Sequence, residues 1–355
     1  PRSDSSAASD VYKRQGQEIK SKYLILQKAL NYWLGLFLYI YYMSIEDLYK
    51  LYTKSSGVVT DSRKTSNNCI FFSLKGINFN GNEFAKSAIE NGALCAIVDE
   101  KKYFQNNKNY IYVEDCLDTL QKLANFHRKK VKTKIIGITG SNGKTTSKEL
   151  INSVLKTQFK TYCTKGNLNN HIGVPLSLLE ISNEIEFAII EMGANHIGEI
   201  KLLSKIAEPD YGYITNFGKA HLEGFGSEEG VIKGKSELYD YLISNSGFIF
   251  YNSDDEKQKI ILSEYINKYG FSQKKSDLSY TVISENPSII LSTKNMTFES
   301  TLFGSYNIQN IISAVSIGSY FGISIEKIKK GVSNYIPSNN RSQIVKKNSN
   351  KIVLD

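Results

Sequence analysis

Residues 135–146 of the chain read IIGITGSNGKTT, an apolar run that enters a glycine-rich turn followed by a lysine and two threonines. The apolar run predicts a buried strand, and the segment after the turn predicts a helix that starts near Ser147. Glycines in such a turn let backbone N–H groups converge on phosphate oxygens, and a helix N-terminus adds a favourable dipole. Five residues separate Gly137 from Gly143, so the pattern is a variant, TGxxGKT, of the usual phosphate loop. We therefore predict a phosphate site in which Lys144 contacts phosphate and Thr145 offers a hydroxyl to Mg²⁺.

Two other predicted strands end in polar residues, and ligands of open parallel sheets bind beyond the carboxyl ends of the strands. The strand at 187–190 leads to Glu191, and the strand at 211–215 leads to His221. Glu191 is the kind of hard oxygen ligand that a Mg²⁺ ion beside Thr145 needs. A single carboxylate is as often a surface group, so this prediction depends on the strands lying side by side.

Three further groups lie in loops or helices close to these strand ends in the sequence. His196 follows Glu191 in a glycine-containing turn, although a loop histidine is more often structural than catalytic. The loop at 164–175, TKGNLNNHIGVP, carries Asn169 and Asn170, whose amides suit the orientation of peptide or phosphate groups. A cluster of Asx turns is the structural alternative for this loop. Lys235 follows on the helix after Gly230.

The order of elements along the chain predicts the α/β fold class. A small α/β unit is expected over residues 43–132, and a central domain over 133–336, in which apolar strands alternate with helices on both faces of a mainly parallel sheet. Residues 256–300 are polar and weakly periodic, which predicts an antiparallel appendage. Residues 337–355 are expected to begin a third domain.

Residues 1–42 are not expected to belong to the protein. Residues 6–15, SAASDVYKRQ, resemble the translation of a sequencing-library adapter, and Met43 is a natural first residue. The apolar run at 32–42 has eleven residues, which is too short to span a bilayer core of roughly 30 Å. We therefore predict a cytoplasmic protein with no membrane insertion.

Charge and cysteine content restrict the class of function. Beyond residue 42 the chain has 38 basic against 32 acidic residues, an excess of six that suits a binder of small anions. No basic stripe with interleaved aromatic residues is present, so nucleic acid is not an expected partner. Four scattered cysteines without a C-x-x-C spacing are typical of reduced thiols and not of a zinc site.

Four segments together resemble the Mur ligase family of ATP-dependent amide-bond ligases. They are GITGSNGKTT (137–146), TKGNLNNHIGVP (164–175), EMGANHIGEI (191–200) and NFGKAHLEGFGSEEGVIKGKSELY (216–239). The resemblance runs from about Val58 to Asp355. Within the family, the words EMGANH and AHLEGFG favour the activity that joins D-alanyl-D-alanine to UDP-N-acetylmuramoyl-tripeptide through an acyl phosphate.

The resemblance implies a role for each candidate residue, with ATP and Mg²⁺ as cofactors. Catalysis is implied for Lys144, Glu191, His221 and Lys235, and the metal ligands would be Thr145, Glu191, His221 and Lys235, the last as a carbamate formed with CO₂. ATP would be bound by Gly140, Asn142, Gly143, Lys144, Thr145, Thr146, Asn307, Asn310, Arg341 and Asp355. Tyr306 stands where the family usually has a histidine, which affects one expected adenine contact.

The substrate residues implied by the resemblance are Asp61, Ser62, Arg63, Lys75, Asn169, Asn170 and His196, of which the first four would hold the UDP group. The family has a third, Rossmann-like domain, so we expect a chain that stops at Asp355 to bind the UDP precursor and to turn over poorly or not at all. A monomer is expected. The alternatives are another Mur-type or folylpolyglutamate-type ligase, a phosphate-loop kinase of a small metabolite, and a non-catalytic UDP-sugar binder.

Overall fold

The computed structural model describes residues 27–28, 43–286, 288–294 and 296–337, together with the backbone of 343–347 and 350–354. These residues form two compact units, Pro1–Thr119 and Leu120–Asp355. The expectation for residues 1–42 therefore falls almost wholly outside the described part. The division lies N-terminal of residue 132, where the sequence predicts a boundary, and the predicted domain bounds stay predictions.

The first unit is a four-stranded parallel sheet with short helices. Its elements are α1 (Ile45–Tyr52), β1 (Val58–Val59), β2 (Ile70–Phe72), β3 (Lys75–Gly76), β4 (Phe79–Asn80), α2 (Ala85–Glu90), β5 (Cys95–Val98) and β6 (Tyr110–Tyr112), and the next helix, α3 (Cys116–Lys130), crosses into the second unit. The strand order is β1-β2-β5-β6, with every pair parallel. All four residues of β5 are buried, as expected for a strand that is covered on both faces.

The second unit contains the central sheet and most of the helices. Its elements are β7 (Lys134–Thr139), α4 (Lys144–Leu155), β8 (Thr161–Cys163), α5 (Gly173–Leu179), β9 (Phe187–Glu191), α6 (Glu199–Ala207), β10 (Tyr211–Ile214), α7 (Leu222–Phe225), α8 (Glu228–Ser244), β11 (Phe248–Asn252), α9 (Glu256–Ile261), β12 (Lys268–Ser272), β13 (Leu278–Ser284), β14 (Ile289–Thr293), β15 (Met296–Ser300), α10 (Ile308–Tyr320), α11 (Ile325–Ser333), β16 (Gln343–Lys347) and β17 (Asn350–Leu354). The sheet has the order β15-β14-β13-β12-β11-β10-β7-β9-β8.

The central sheet is parallel from β8 to β13, and the pairings β13–β14 and β14–β15 are antiparallel. Side chains alternate between its two faces. Ile136 and Ile138 of β7 face a core with Leu150 of α4 and Ile311 of α10. A Cβ placed on Gly137 between them would touch Leu238 of α8, so a helix covers the opposite face. The predicted α/β class with a mainly parallel sheet is confirmed.

Two local predictions differ from the structure. The helix expected near Ser147 begins at Lys144, because Gly143 has φ +78° and acts as its N-cap. The segment 256–300 is not a separate antiparallel appendage. It contains α9 and the strands β12 and β13, which pair in parallel, and the antiparallel pairs β13–β14 and β14–β15 extend the central sheet. Among the described helices, none is both long and apolar enough to cross a bilayer.

Candidate functional site

The turn between β7 and α4 has a backbone path that requires glycine at two positions. Gly140 has φ +141° and Gly143 has φ +78°, values at which residues with a side chain are strained. A Cβ on Gly140 would collide with Oγ1 of Thr215, and a Cβ on Gly143 would approach Oδ1 of Asn310 at 2.5 Å. The loop is therefore fitted closely against its neighbours, which fixes the direction of its N–H groups.

The start of α4 has the properties of an anion site. Among the described residues no side chain caps this helix, and its N-cap is Gly143. The N–H groups of a first helical turn have no intrahelical acceptor and carry the positive end of the helix dipole. The ammonium of Lys144 donates to the carbonyls of Gly140 (2.8 Å) and Ser141 (3.1 Å), so it lies over the same loop. Negative phosphate oxygens fit this arrangement.

Hydrogen bonds join this loop to the segment that follows β10. The carbonyl of Asn142 accepts from Oγ1 of Thr215 (2.5 Å) and Nδ2 of Asn216 (3.1 Å). Oγ of Ser141 donates to the carbonyl of Gly218 at 2.7 Å. The carboxyl ends of β7 and β10 thus meet at one edge of the sheet, as the sequence predicts.

Glu191, at the end of β9, is buried beside the phosphate loop, with 1% of its surface exposed. Its Oε1 accepts from Oγ1 of Thr145 (3.2 Å) and from Nδ2 of Asn169 (2.8 Å). Its Oε2 accepts no hydrogen bond from the described residues and lies 3.5 Å from Nζ of Lys148. A buried carboxylate next to a threonine hydroxyl supplies the hard oxygen ligands that Mg²⁺ prefers. These residues therefore fit a magnesium ion.

Metal-binding residues are otherwise few. In the part of the chain that the structure describes, no group of three or more His, Cys, Asp or Glu side chains could hold a metal. Mg²⁺ usually takes one or two carboxylates and completes its shell with water and phosphate.

Lys235 on α8 is a buried lysine whose proton affinity is reduced. Its Nζ donates to the carbonyl of Ala194 at 2.9 Å and lies 4.9 Å from the ring centroid of Phe225. Burial, assisted by repulsion from Lys144, lowers the pKa of Lys235 from 10.5 to about 8. A substantial neutral fraction near physiological pH is what reaction of an amine with CO₂ requires. The structure thus supplies a suitable amine, and the carbamate itself stays a prediction.

The two predicted histidines line one shared cavity. His196 and His221 border an open cavity of about 620 Å³ together with Lys219 and Glu223. Both rings are exposed, and His221 has φ +51° at the start of α7. Nδ1 of His196 lies 3.3 Å from Oε1 of Glu199. Metal binding by His221 and substrate binding by His196 stay predictions.

Asn307 and Asn310 are buried in a hydrogen-bonded chain that reaches α4. Oδ1 of Asn310 accepts from Oγ of Ser147 (2.9 Å), and its Nδ2 donates to Oδ1 of Asn307 (2.8 Å). The chain links α10 to the helix that follows the phosphate loop. Their predicted adenine contacts stay predictions, and Arg341 and Asp355 lie outside the described residues. Tyr306 is exposed.

Asn170 has a local structural role of the type considered for its loop. Its Oδ1 accepts from the backbone N–H groups of Ile172 (3.1 Å) and Gly173 (2.8 Å), which is an Asx-type turn at the start of α5. Asn169, in contrast, donates to the carboxylate of Glu191 and is part of the phosphate-loop edge. Substrate binding by either side chain stays a prediction.

In the first unit, three of the four predicted UDP-binding residues take part in ion pairs. Nε and Nη2 of Arg63 donate to Oδ1 and Oδ2 of Asp61, both at 2.9 Å. These hydrogen bonds lower the pKa of Asp61 to about 2. Ser62 begins the short 3₁₀ turn that contains Arg63, and Nζ of Lys75 lies 3.2 Å from the buried carboxylate of Asp99. Binding of UDP by these residues stays a prediction.

Lys148 is a residue of the site that the sequence interpretation missed. It is 1% exposed, and its Nζ donates to the carbonyl of Thr164 at 2.7 Å. The sequence does contain an indication of this position. Lys148 follows Thr145 by three residues, and residues three or four apart lie on one face of a helix. A lysine on the face that approaches Glu191 could have been selected on that ground.

Comparison with known proteins gives consistent matches over both units. The profile of the Mur ligase middle domain matches residues 138–318, and that of the Mur ligase family catalytic domain matches residues 54–128. A UDP-N-acetylmuramoyl-tripeptide–D-alanyl-D-alanine ligase of Bacillus subtilis is 35% identical over 302 residues, covering 84% of this chain. This chain spans 66% of the length of that relative.

Two solved structures are similar in fold and sequence. A crystal structure of MurF from Acinetobacter baumannii has a TM-score of 0.75 and 32% identity, and the match covers 84% of this chain and 67% of that one. MurF ligase from Thermotoga maritima, in complex with ADP, has a TM-score of 0.75 and 28% identity, covering 86% of this chain and 71% of the other.

Proposed function

We propose, since this chain belongs to the Mur ligase family, that it uses ATP to join D-alanyl-D-alanine to UDP-N-acetylmuramoyl-tripeptide in the synthesis of peptidoglycan precursors. The observation that carries the proposal is the contact between Oγ1 of Thr145 and the buried carboxylate of Glu191. It brings the glycine-rich loop and a carboxylate that suits a cation together at one sheet edge. The relatives of similar sequence carry the same substrates in their names.

The chemistry requires activation of a carboxylate, because carboxylates are poor acyl donors. The terminal carboxylate of the tripeptide would attack the γ-phosphate of ATP, giving an acyl phosphate and ADP. The amine of D-alanyl-D-alanine would then attack the acyl carbon, forming the amide bond and releasing phosphate. In such transfers, positioning and charge stabilisation contribute most of the catalysis.

The residues of the second unit divide these tasks. The first-turn N–H groups of α4 and the ammonium of Lys144 would bind the phosphates and stabilise charge on the transferred group. Thr145 and Glu191 would hold Mg²⁺, with His221 and carbamylated Lys235 at a second ion. Bound Mg²⁺ would neutralise phosphate charge. The proposed reaction requires no nucleophilic side chain, because the carboxylate of the substrate itself would attack ATP.

The first unit would hold the UDP group through Arg63 and Lys75, which can each approach an anionic phosphate. ATP and UDP-linked precursors are cytoplasmic metabolites, so we place the reaction in the cytoplasm. We also infer that the enzyme acts as a monomer.

The test is release of ADP by the full-length protein, at protein concentrations near those of the substrates and followed over hours so that slow turnover is detected. With ATP and UDP-N-acetylmuramoyl-tripeptide present, ADP release should continue beyond one molecule per protein only when D-alanyl-D-alanine is added. Lys144→Ala should abolish it. Lys160→Ala, at an exposed lysine paired with Glu184, is the matched control and should not change it.

Other outcomes would reject the proposal in distinct ways. Equal stimulation by glutamate or a diamino acid would assign a different ligase of the family. Multiple turnovers without any amine, with a phosphorylated product, would indicate a kinase. Tight binding of UDP-tripeptide with no ADP formed under any condition would indicate a binding protein.

A further inference from the structure

Lys148 and Glu191 form an ion pair that is buried almost completely. The two side chains are 1% and 2% exposed, and Nζ of Lys148 lies 3.5 Å from Oε2 of Glu191. Long charged side chains are rarely buried unless they are paired, because removing a charge from water is costly. The buried ion pair therefore indicates a specific role for the ammonium group of Lys148.

The local geometry shows how the two residues are held. Thr145 and Lys148 are three residues apart on α4, so both project from one face of the helix toward β9. Thr145 contacts Oε1 of Glu191 and Lys148 faces Oε2, so the helix contacts both oxygens of the carboxylate.

Thr164, just after β8, closes this arrangement into a ring. Its carbonyl accepts from Nζ of Lys148 at 2.7 Å, and its Oγ1 accepts from the backbone N–H of Glu191 at 3.0 Å. The side chain of Lys148 and the backbone of Glu191 are thus attached to the same residue. Such a ring restricts the rotation of the carboxylate more than either contact alone.

We propose that Lys148 is a positioning residue for the magnesium site, which holds one edge of the Glu191 carboxylate so that the other edge faces Thr145. Lys148 acts through Glu191 and does not itself touch the metal. The proposal rests on the magnesium–nucleotide site of the proposed function, but not on the identity of the amine substrate. Residues that orient a metal ligand typically change metal affinity by about 10- to 100-fold when they are removed.

The test is the Mg²⁺ dependence of ADP binding, measured by isothermal titration calorimetry with the 355-residue chain. In Lys148→Met, which keeps the length of the side chain and removes its charge, the Mg²⁺ concentration for half-maximal ADP binding should rise by about 10- to 100-fold. Binding of ADP in the presence of EDTA should stay unchanged, since Lys148 is not a phosphate ligand in this account. An unchanged Mg²⁺ requirement would overturn the proposal.

Two further variants separate positioning from general loosening of the helix. Leu150→Ala removes buried apolar contacts from the same helix and should lower the melting temperature with no change in the Mg²⁺ requirement. If it shifts that requirement as much as Lys148→Met does, the proposal is wrong. In a Glu191→Gln background, Lys148→Met should add no further shift, and an additive effect would also contradict the proposal.

The design remains decisive if one variant is unstable. Should Lys148→Met fail to fold, Lys148→Gln can keep a hydrogen bond to the carbonyl of Thr164 and is measured in its place, with the same expected shift. The wild-type chain provides the reference for the function itself. Failure of the wild type to bind ADP in a Mg²⁺-dependent manner would reject the proposed nucleotide site, whereas a normal wild type with unchanged variants would reject only the role of Lys148.

Discussion

Replacement of Lys235 by methionine should stabilise the protein at neutral pH, although it removes a residue proposed to take part in catalysis. Burial lowers the pKa of Lys235 from 10.5 to about 8, and each pKa unit corresponds to about 1.4 kcal/mol. The charged form therefore costs about 3 kcal/mol of folding free energy at pH 7. Methionine loses the hydrogen bond to Ala194 and the contact of the ammonium with Phe225, which are worth about 1 kcal/mol each. The net expectation is a stabilisation of about 1 kcal/mol.

The pH dependence of this difference follows from the direction of the pKa change. Between the folded pKa of about 8 and the unfolded pKa near 10.5, the unfolded chain binds more protons at Lys235 than the folded chain does. The stability of the wild type therefore rises with pH in this window. Below about pH 8 the full cost of the buried charge is present, and it disappears as the pH approaches 10.5. The advantage of Lys235→Met should fall to zero at about pH 9 and be absent at about pH 9.5.

The assay is urea unfolding followed by circular dichroism at pH 7 and pH 9.5. It measures the stability difference between Lys235→Met and the wild type at pH 7 and its decrease at higher pH. The buffer is free of CO₂ so that the lysine stays an amine. Lys233→Met is the matched control, because Lys233 is exposed on the same helix. It should change the free energy of unfolding by no more than about 0.5 kcal/mol at either pH. A Lys235→Met protein that is less stable than wild type at pH 7, by the same amount at both pH values, would refute the electrostatic reasoning.

The remaining predictions concern the two binding regions. Gly140→Ala should lower the free energy of unfolding by more than about 1 kcal/mol and weaken ADP binding at least about tenfold, because its Cβ would collide with Oγ1 of Thr215. The control is Gly226→Ala, a glycine with positive φ but open space around it, which should leave ADP binding unchanged. Calorimetric titration measures ADP affinity and urea unfolding measures stability for each variant. Normal ADP affinity in Gly140→Ala would contradict the account of the loop. Arg63→Ala should weaken binding of UDP-N-acetylmuramoyl-tripeptide without lowering the melting temperature, since its ion pair is exposed. Lys86→Ala, in another exposed pair, serves as its control, and unchanged precursor affinity in Arg63→Ala would remove Arg63 from the UDP site.

Local sequence patterns predicted the strands whose ends are marked by a clear change from apolar to polar residues. The strands Phe187–Glu191 and Tyr211–Ile214 agree to within one residue with the predicted ranges 187–190 and 211–215, because an apolar run that ends in polar residues is a clear pattern. The start of α4 was placed three residues too late, since the sequence does not show that Gly143 has a positive φ. The hydrophobic periodicity of 256–300 is weak, so it did not predict that strands in this segment join the central sheet.

The edge of the sheet at which the candidate residues meet was also predictable, but several contacts there were not. Parallel strands that each end in a polar residue indicate a shared edge, and the structure places Glu191 beside Thr145. The positions of Lys148, Thr164 and Asn169 around that carboxylate depend on β8 lying next to β9. Strand order is a property of tertiary packing and is not encoded in the periodicity of one segment. Contacts across it therefore required the structure.

The central claim is that Lys144, Thr145, Glu191, His221 and Lys235 surround one magnesium–nucleotide pocket. Crystals of the chain grown with ADP and Mn²⁺, which replaces Mg²⁺ and gives an anomalous signal, test it most directly. The account predicts an anomalous peak about 2.2 Å from Oγ1 of Thr145, with the carboxylate of Glu191 in or next to its coordination shell and the phosphates at the start of α4. Nucleotide or metal bound elsewhere, with neither Thr145 nor Glu191 in contact, would contradict it.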